Sequence, residues 1–287
     1  MGAVAGFIDG FRGRSGEKTF LDRLDDVRGR LISSLVVITI TTLIGFYAAA
    51  WPVTLNIPEW TVGFRDRMLQ FGGWTVDLDF LALFVAPIEP FLNGERLKYL
   101  SPTDPFFITL KLALCIGVVL ALPYLIVQAW RLVTPLMRED ERRLAAPTIF
   151  AALVLFTAGT VFCYILVLPL MLRFTLGFQT ESLEQYIVIG EYLSLIIRML
   201  LAFGLAFELP VVILVGTLLG VVTPDMLVAR RRHALAILVV ISAIITPPDL
   251  SSQILLMIPV WFLYEISIVI SRAVLARRGA RVAVGEA

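Results

Sequence analysis

Residues 191–220 read EYLSLIIRMLLAFGLAFELPVVILVGTLLG, and this stretch decides the class of the protein. Its charged residues are Glu191, Arg198 and Glu208, and all the others are apolar or uncharged. A predominantly apolar helix of about 20 residues is long enough to cross a hydrocarbon core of about 30 Å. The stretch therefore predicts a transmembrane helix.

The composition of the whole chain agrees with a membrane protein. Of its 287 residues, 59% are hydrophobic and 16% are charged, whereas a soluble domain is about half apolar and about a quarter charged. Further apolar runs occur at 31–50, 106–133, 145–174, 232–246 and 253–272. We therefore predict an all-α integral membrane protein with six transmembrane helices, here called spans one to six in chain order.

Arginine is concentrated in alternate connecting segments, which predicts the orientation. The clusters are Arg131, Arg138, Arg142 and Arg143 after span two, Arg230, Arg231 and Arg232 after span four, and Arg272, Arg277, Arg278 and Arg281 after span six. Basic loops stay on the cytoplasmic side. We expect a cytoplasmic N-terminal segment (1–30), a membrane domain (31–272) and a cytoplasmic tail (273–287), with both termini inside.

The segment 51–104 is a long outer connection. Its apolar part, FLALFVAPIEPFL, is too short and too rich in proline to cross, so we expect an interfacial or cap-like helix. Spans five and six are expected to be short, and span five rises only about 20 Å. Local bilayer thinning and shielding by a protein neighbour both remain open for this mismatch.

Prolines inside the predicted spans indicate bends. Pro123, Pro169, Pro210 and Pro259 can each free a backbone carbonyl and kink a helix. We expect a concave, glove-like bundle, although simple bending of helices around one another explains the same prolines.

Two carboxylates fall inside the apolar runs. Glu208, with Gln128 of span two, is a candidate for a polar translocation surface, because an ionisable residue at such depth usually marks a pathway or partner. A protonated carboxyl that only packs is the alternative. For Glu265, a structural hydrogen bond or ion pair to a neighbour is at least as good an interpretation as a functional role.

Signatures of catalysis and metal binding are missing. His233 is the sole histidine, and neither an HExxH motif nor a P-loop occurs. Cys115 and Cys163 fall inside apolar runs and are expected to pack as small hydrophobes. The net charge of +1 does not favour nucleic acid. We expect no enzyme activity, metal or cofactor.

Six strings along residues 20–272 resemble, in order, those of the TatC family, whose members are signal-peptide receptors of the twin-arginine translocase. The strings are LDDVRGRL (24–31), SPTDPFFITLK (101–111), PYLIVQAWRLVTPLMREDERR (123–143), FGLAFELPV (203–211), ITPPDLSSQ (245–253) and IPVWFLYE (258–265). Two positions depart from the family: Asp26 stands where the family has glutamate, and Leu132 where it has an aromatic residue.

The resemblance implies that acids at Asp26 and Glu141, with Arg28 and Leu132 nearby, bind the paired arginines of a folded substrate's signal peptide. Carboxylates can bind guanidinium groups in bidentate geometry, which a lysine cannot offer. From the residues alone, pairing of the two acids with Arg28, Arg142 or Arg143 inside the chain is the preferred interpretation.

The resemblance also implies partners and a location. Single-span TatA/TatB-type subunits would dock near Thr246, Asp249 and Gln253, the proton gradient would supply the energy, and several copies of the chain would assemble among membrane lipid in a prokaryotic inner membrane. Thr246 could equally be an ordinary helix end before two prolines. A small-solute transporter using Glu208 and a membrane scaffold are the competing interpretations.

Overall fold

The computed structural model describes residues 20–50, 53–56, 75–92, 97–134, 137, 142, 145–177, 186–245 and 250–285. In chain order its elements are α1 (Phe20–Ala50), β1 (Val53–Asn56), β2 (Thr75–Leu78), α2 (Phe80–Val85), α3 (Asp104–Val133), α4 (Ala145–Phe162), a π-helical turn (Cys163–Val167), α5 (Leu168–Leu176), α6 (Ile189–Phe207), α7 (Leu209–Leu218), α8 (Pro224–Ala229), α9 (Arg231–Ile245) and α10 (Leu250–Gly285).

Helices long and apolar enough to cross a membrane occupy five of the six predicted positions. Within the described chain they are Val27–Ala50, Asp104–Val133, Ala146–Leu176, Ile189–Leu218 and Gln253–Ala276. The predicted fifth span is helix α9, whose 15 residues rise only about 22 Å. The sixth span is longer than predicted, because α10 has 36 residues and runs through the expected tail to Gly285.

The all-α prediction missed a small sheet in the segment 51–104. Strands β1 and β2 pair antiparallel, with Val53 opposite Leu78. Helix α2 follows at once, and the Asp79 carboxylate caps it by accepting from the backbone N–H groups of Leu81 and Ala82. With six residues, α2 does not cross the membrane.

Two tyrosines hold α2 against the bundle. The Tyr164 hydroxyl donates to the carbonyl of Leu83 at 2.8 Å, and the Tyr192 hydroxyl donates to that of Phe84 at 3.1 Å. We call the end of the bundle beside α2 the cap end. The opposite end, where Arg231 begins α9, is the arginine end.

The main core lies where spans two, three and four meet. Its most deeply buried members include Leu112, Cys163, Leu193, Ile196 and Phe203. Both cysteines are buried and unpaired, as the sequence predicts. Span one is different: most of its large apolar side chains are exposed, as expected for a helix that faces lipid on all sides but one.

Of the four internal prolines, two lie next to interruptions of the α-helix. The π-helical turn precedes Pro169, and α6 gives way to α7 just before Pro210. Pro123 and Pro259 lie inside helices that remain continuous. The proline pattern therefore predicted the breaks in spans three and four, and no break occurs at the other two prolines.

Span one packs closely on span two through glycines. A Cβ atom added at Gly117 would lie 2.6 Å from Cα of Thr42, and one at Gly45 would lie 2.6 Å from the carbonyl oxygen of Ala113. Such approaches require a residue without a side chain, as in other small-residue helix contacts in membranes.

We expect Gly117→Ala to force the two helices apart and to lower the free energy of unfolding in detergent by about 1–3 kcal/mol. Gly29→Ala is the matched control, since a Cβ at Gly29 would meet no atom within 4 Å. Thermal and denaturant unfolding of both variants measures the difference. Equal stability of the two variants would contradict the close packing.

Candidate functional site

Glu208 occupies the break in span four. It separates α6 from α7, its N–H donates to the carbonyl of Leu205 at 3.1 Å, and its carbonyl accepts from the N–H of Val212 at 2.9 Å. Pro210 has no N–H to give to the preceding turn. The carboxylate is therefore placed where the helical hydrogen-bond ladder is already interrupted.

The side chain of Glu208 is half-buried, and its Oε1 atom is fully buried without a hydrogen-bond partner among the described residues. Buried polar atoms normally have a partner, and one without a partner costs free energy. Leu218, at the end of α7, lies ten residues further on, about 15 Å along the helix. The unpaired atom is consequently at membrane depth, as the sequence predicts for this residue.

Close packing fixes the helix that precedes Glu208. A Cβ added at Gly159 would lie 2.6 Å from the ring of Phe207, and one at Gly204 would lie 2.6 Å from the ring of Phe156. The ring of Phe162 also lies 5.7 Å from that of Phe207, centroid to centroid. Spans three and four are thus locked together directly before the break, which holds Glu208 in position.

Gln128, predicted beside Glu208 as a translocation residue, makes a different contact. Its Nε2 donates to Ser33 Oγ of α1 at 2.9 Å and to the Tyr124 hydroxyl at 2.8 Å. Ser33 Oγ in turn donates to the carbonyl of Arg30. No hydrogen bond joins Gln128 to Glu208 within the described chain.

The ion pair expected for Glu265 is present. Oε2 of Glu265, on α10, accepts from Nη2 of Arg231, the first residue of α9, at 2.6 Å. The neighbouring Tyr264 hydroxyl donates to the carbonyl of Leu227 in α8 at 2.7 Å. Sequence reasoning placed Arg231 in a loop cluster and gave no sign that it would be the partner.

The residues expected to bind a signal peptide are only partly described. Asp26 lies in α1 with its side chain outside the described residues, and Glu141 lies outside them altogether. Arg28 is exposed on α1, and Leu132, near the end of α3, exposes 46% of its surface.

The register of α1 against α3 nevertheless relates these positions. The helices run antiparallel, with Gly45 against Ala113, Thr42 against Gly117 and Ser33 against Gln128. In an antiparallel pair, each step toward the start of one helix matches a step toward the end of the other. Continuing the same register to the arginine end sets Arg28 level with Leu132, and Asp26 level with the end of α3.

Of the predicted docking residues, only Gln253 is described. Thr246 and Asp249 lie outside the described residues. Nε2 of Gln253 donates to the carbonyl of Val239 at 2.9 Å, which links α10 to α9. The side chain is half-buried. Among the residues with described side chains, His, Cys, Asp and Glu form no group of three that could hold a metal.

Comparison with known proteins identifies the family. Residues 22–259 match the model of the family described as Sec-independent protein translocase protein (TatC). The chain belongs to the TatC family. It is a multi-pass membrane protein of the protein-translocase class.

Relatives and solved structures agree over most of the chain. The TatC of Aquifex aeolicus is 39% identical over 189 residues, which are 64% of this chain and 78% of the relative. That of Desulforapulum autotrophicum is 30% identical over 261 residues, 90% of this chain and 86% of the relative. A crystal structure titled as the twin arginine translocase receptor TatC superposes with a TM-score of 0.72 at 34% identity, covering 88% of this chain and 98% of that chain.

The unpaired Oε1 atom of Glu208 predicts a gain in stability on its removal. We expect Glu208→Leu to raise the free energy of unfolding of the purified chain by about 1 kcal/mol, because a buried acceptor without a partner is costly. Glu191→Leu, at an exposed carboxylate in the same span, is the control and should change stability little. A loss of stability in Glu208→Leu would mean that a structural partner exists.

Proposed function

We propose that this chain is the receptor subunit of a twin-arginine translocase and that it binds the Arg-Arg signal peptides of folded proteins at the arginine end. The observation that carries the proposal is the match to the TatC family over residues 22–259, together with a superposition on a structure whose title names a receptor.

The antiparallel packing of spans one and two supports a shared site. Arg28 and Leu132 are both exposed and, in the register defined above, lie at one level. Asp26 is two residues from Arg28, and Glu141 follows span two by eight residues. The two acids therefore belong to separate segments of the sequence, which would suit them to bind two guanidinium groups.

The shape of the cationic group would distinguish arginine from lysine at such a site. A carboxylate can accept two parallel hydrogen bonds from the planar guanidinium fork, whereas a lysine presents a compact ammonium. Asp26 has a shorter side chain than the glutamate usual in the family, so its contact would require a closer approach of the peptide. Leu132 would replace an aromatic contact with an aliphatic one.

The orientation follows from an even number of crossings. Two hydrogen bonds join α9 to α10, from Gln253 to the carbonyl of Val239 in the middle of α9 and from Arg231 to Glu265 near the arginine end, and they support α9 as a short membrane-crossing companion of α10. With α9 as span five, six crossings would put both termini on the arginine side. Basic residues favour the cytoplasm, so both termini would lie inside a prokaryotic inner membrane.

Transport would then use the membrane-embedded surface of the bundle near Glu208. Kinked helices would give the concave, glove-like surface predicted from the prolines, and Glu208 would hold water or a polar group of a partner at its unpaired Oε1 atom. Single-span TatA/TatB-type subunits would dock near Thr246, Asp249 and Gln253. Several copies of the chain would assemble, and the proton gradient would supply the energy without a nucleotide.

Site-specific crosslinking to peptides tests receptor function. A reconstituted chain should capture an Arg-Arg signal peptide in preference to the Lys-Lys peptide, and Glu141→Ala or Asp26→Ala should abolish that preference because a bidentate acceptor is lost. Asp225→Ala is the matched control, since it removes an exposed carboxylate from α8 near the same end. Capture that is indifferent to the peptide pair would refute the receptor assignment.

A second experiment addresses docking of the single-span subunits. Gln253→Leu removes the hydrogen bond to Val239 and leaves an apolar side chain. We expect crosslinking of a TatA/TatB-type subunit from Ile254, an exposed residue of α10 beside Gln253 and outside the groove described below, to fall by about tenfold, equivalent to about 1.4 kcal/mol. Ser267→Ala, a change at a buried residue of α10 whose hydroxyl donates within its own helix to the carbonyl of Leu263, is the control for general disturbance. An unchanged crosslink in Gln253→Leu would remove this residue from the docking surface.

A further inference from the structure

An apolar groove separates span four from helices α9 and α10. Its volume is about 720 Å³, within the range of pockets that bind small molecules. The seventeen residues that line it are apolar except Arg198 and Tyr264, and the Tyr264 hydroxyl already donates to the carbonyl of Leu227. Arg198 is therefore the one cation among the described residues of the lining.

The groove is as long as a lipid chain requires. Along span four it extends from Arg198 to Ile213, a rise of about 22 Å, while one leaflet of hydrocarbon is about 15 Å deep. Ile237, Ile241 and Ile244, which line its α9 wall, are also exposed on the surface of the chain. The groove consequently opens toward the membrane.

A second cation lies beside Arg198 at the cap end. Nε of Arg198 donates to the carbonyl of Ser194 at 3.0 Å, one turn nearer the cap end. Nζ of Lys111, from span two, donates to Ser194 Oγ at 2.7 Å. Both side chains therefore reach from apolar helices toward the same membrane boundary, as long basic side chains do.

Neither cation is neutralised inside the described chain. No carboxylate of that part of the chain forms an ion pair with Arg198 or Lys111, although the exposed Glu191 lies one turn from Ser194. The hydrogen bond of Arg198 uses Nε only, which leaves Nη1 and Nη2 to an external acceptor. Two cations without a carboxylate partner at the boundary of a membrane attract an anion.

We propose that this groove binds an anionic phospholipid, with its phosphate at Arg198 and Lys111 and one acyl chain along the wall formed by Leu205, Ile241 and Val260. Guanidinium nitrogens bind phosphate oxygens in bidentate geometry, and the ammonium adds a second positive charge. A molecule that fills the apolar part of the groove must carry no polar groups below its head group. A phospholipid supplies both parts in one molecule, and the cation at the mouth disfavours a wholly apolar partner helix.

Native mass spectrometry of the full chain, offered equal amounts of dioleoyl phosphatidylglycerol and dioleoyl phosphatidylcholine, tests the site. We expect phosphatidylglycerol to be retained in preference, and Arg198→Gln to lower that preference about fivefold, the effect of one basic residue at an anionic surface. Lys111→Gln should lower it in the same direction. Arg173→Gln, which removes an exposed cation near the cap end outside the groove, is the control and should leave it unchanged.

Further measurements distinguish a bound phospholipid from other occupants of the groove. Ala202→Trp narrows the groove and should reduce retention of the dioleoyl lipid, whereas excess inorganic phosphate should not displace it. Displacement by phosphate alone would overturn the acyl-chain part of the site. An unchanged preference in Arg198→Gln, or capture of a single-span subunit from a photocrosslinker at Ile241 regardless of phosphatidylglycerol, would overturn the proposal. None of these outcomes depends on recognition of a signal peptide.

Discussion

Hydrocarbon offers no hydrogen-bond partner to a backbone amide or carbonyl, and this constraint shapes the whole chain. Every membrane-spanning segment must satisfy its own backbone, which only a helix does within one segment. Hydroxyl side chains obey the same rule: those of Thr39, Thr109, Thr157 and Thr160 each donate to the carbonyl four residues earlier. The spans are thus closed hydrogen-bonded units before they meet one another.

Because the lipid is as apolar as the helices, burial of apolar surface adds little to their association. Close packing and a few polar contacts take that role. Gly117 lets span one approach span two, and Gln128 joins the same pair through Ser33. On the other side, Thr217 and Ser271 share a buried hydrogen bond of 2.8 Å between spans four and six. Each contact fixes one helix pair and its register.

Against this background, three polar side chains have a chemistry that the described chain does not fully satisfy. Oε1 of Glu208 is buried at a helix break, and Arg198 and Lys111 reach toward one boundary without a carboxylate partner in the described chain. Two different kinds of external partner follow from their positions. An acceptor deep in the bundle can hold water or a polar partner group, whereas paired cations at the boundary suit a lipid phosphate.

The sequence by itself determined the membrane class, the helical spans and the family, because hydrophobic length and short motifs are local properties of the chain. It also predicted the breaks near Pro169 and Pro210 and an ion pair for Glu265. It did not predict β1 and β2, the continuation of α10 to Gly285, or Arg231 as the partner of Glu265. Strand pairing and contacts between residues distant in the chain depend on which segments meet in space.

The candidate site shows the same difference between what the sequence predicts and what the tertiary structure decides. Sequence patterns singled out Glu208 and Gln128 as candidate translocation residues, and the structure shows Gln128 bonded to Ser33 of span one and Glu208 at the break in span four. The tertiary structure alone decided this, because a residue's depth along a helix can be read from the sequence, whereas the neighbour that its side chain faces depends on how the helices rotate and pack.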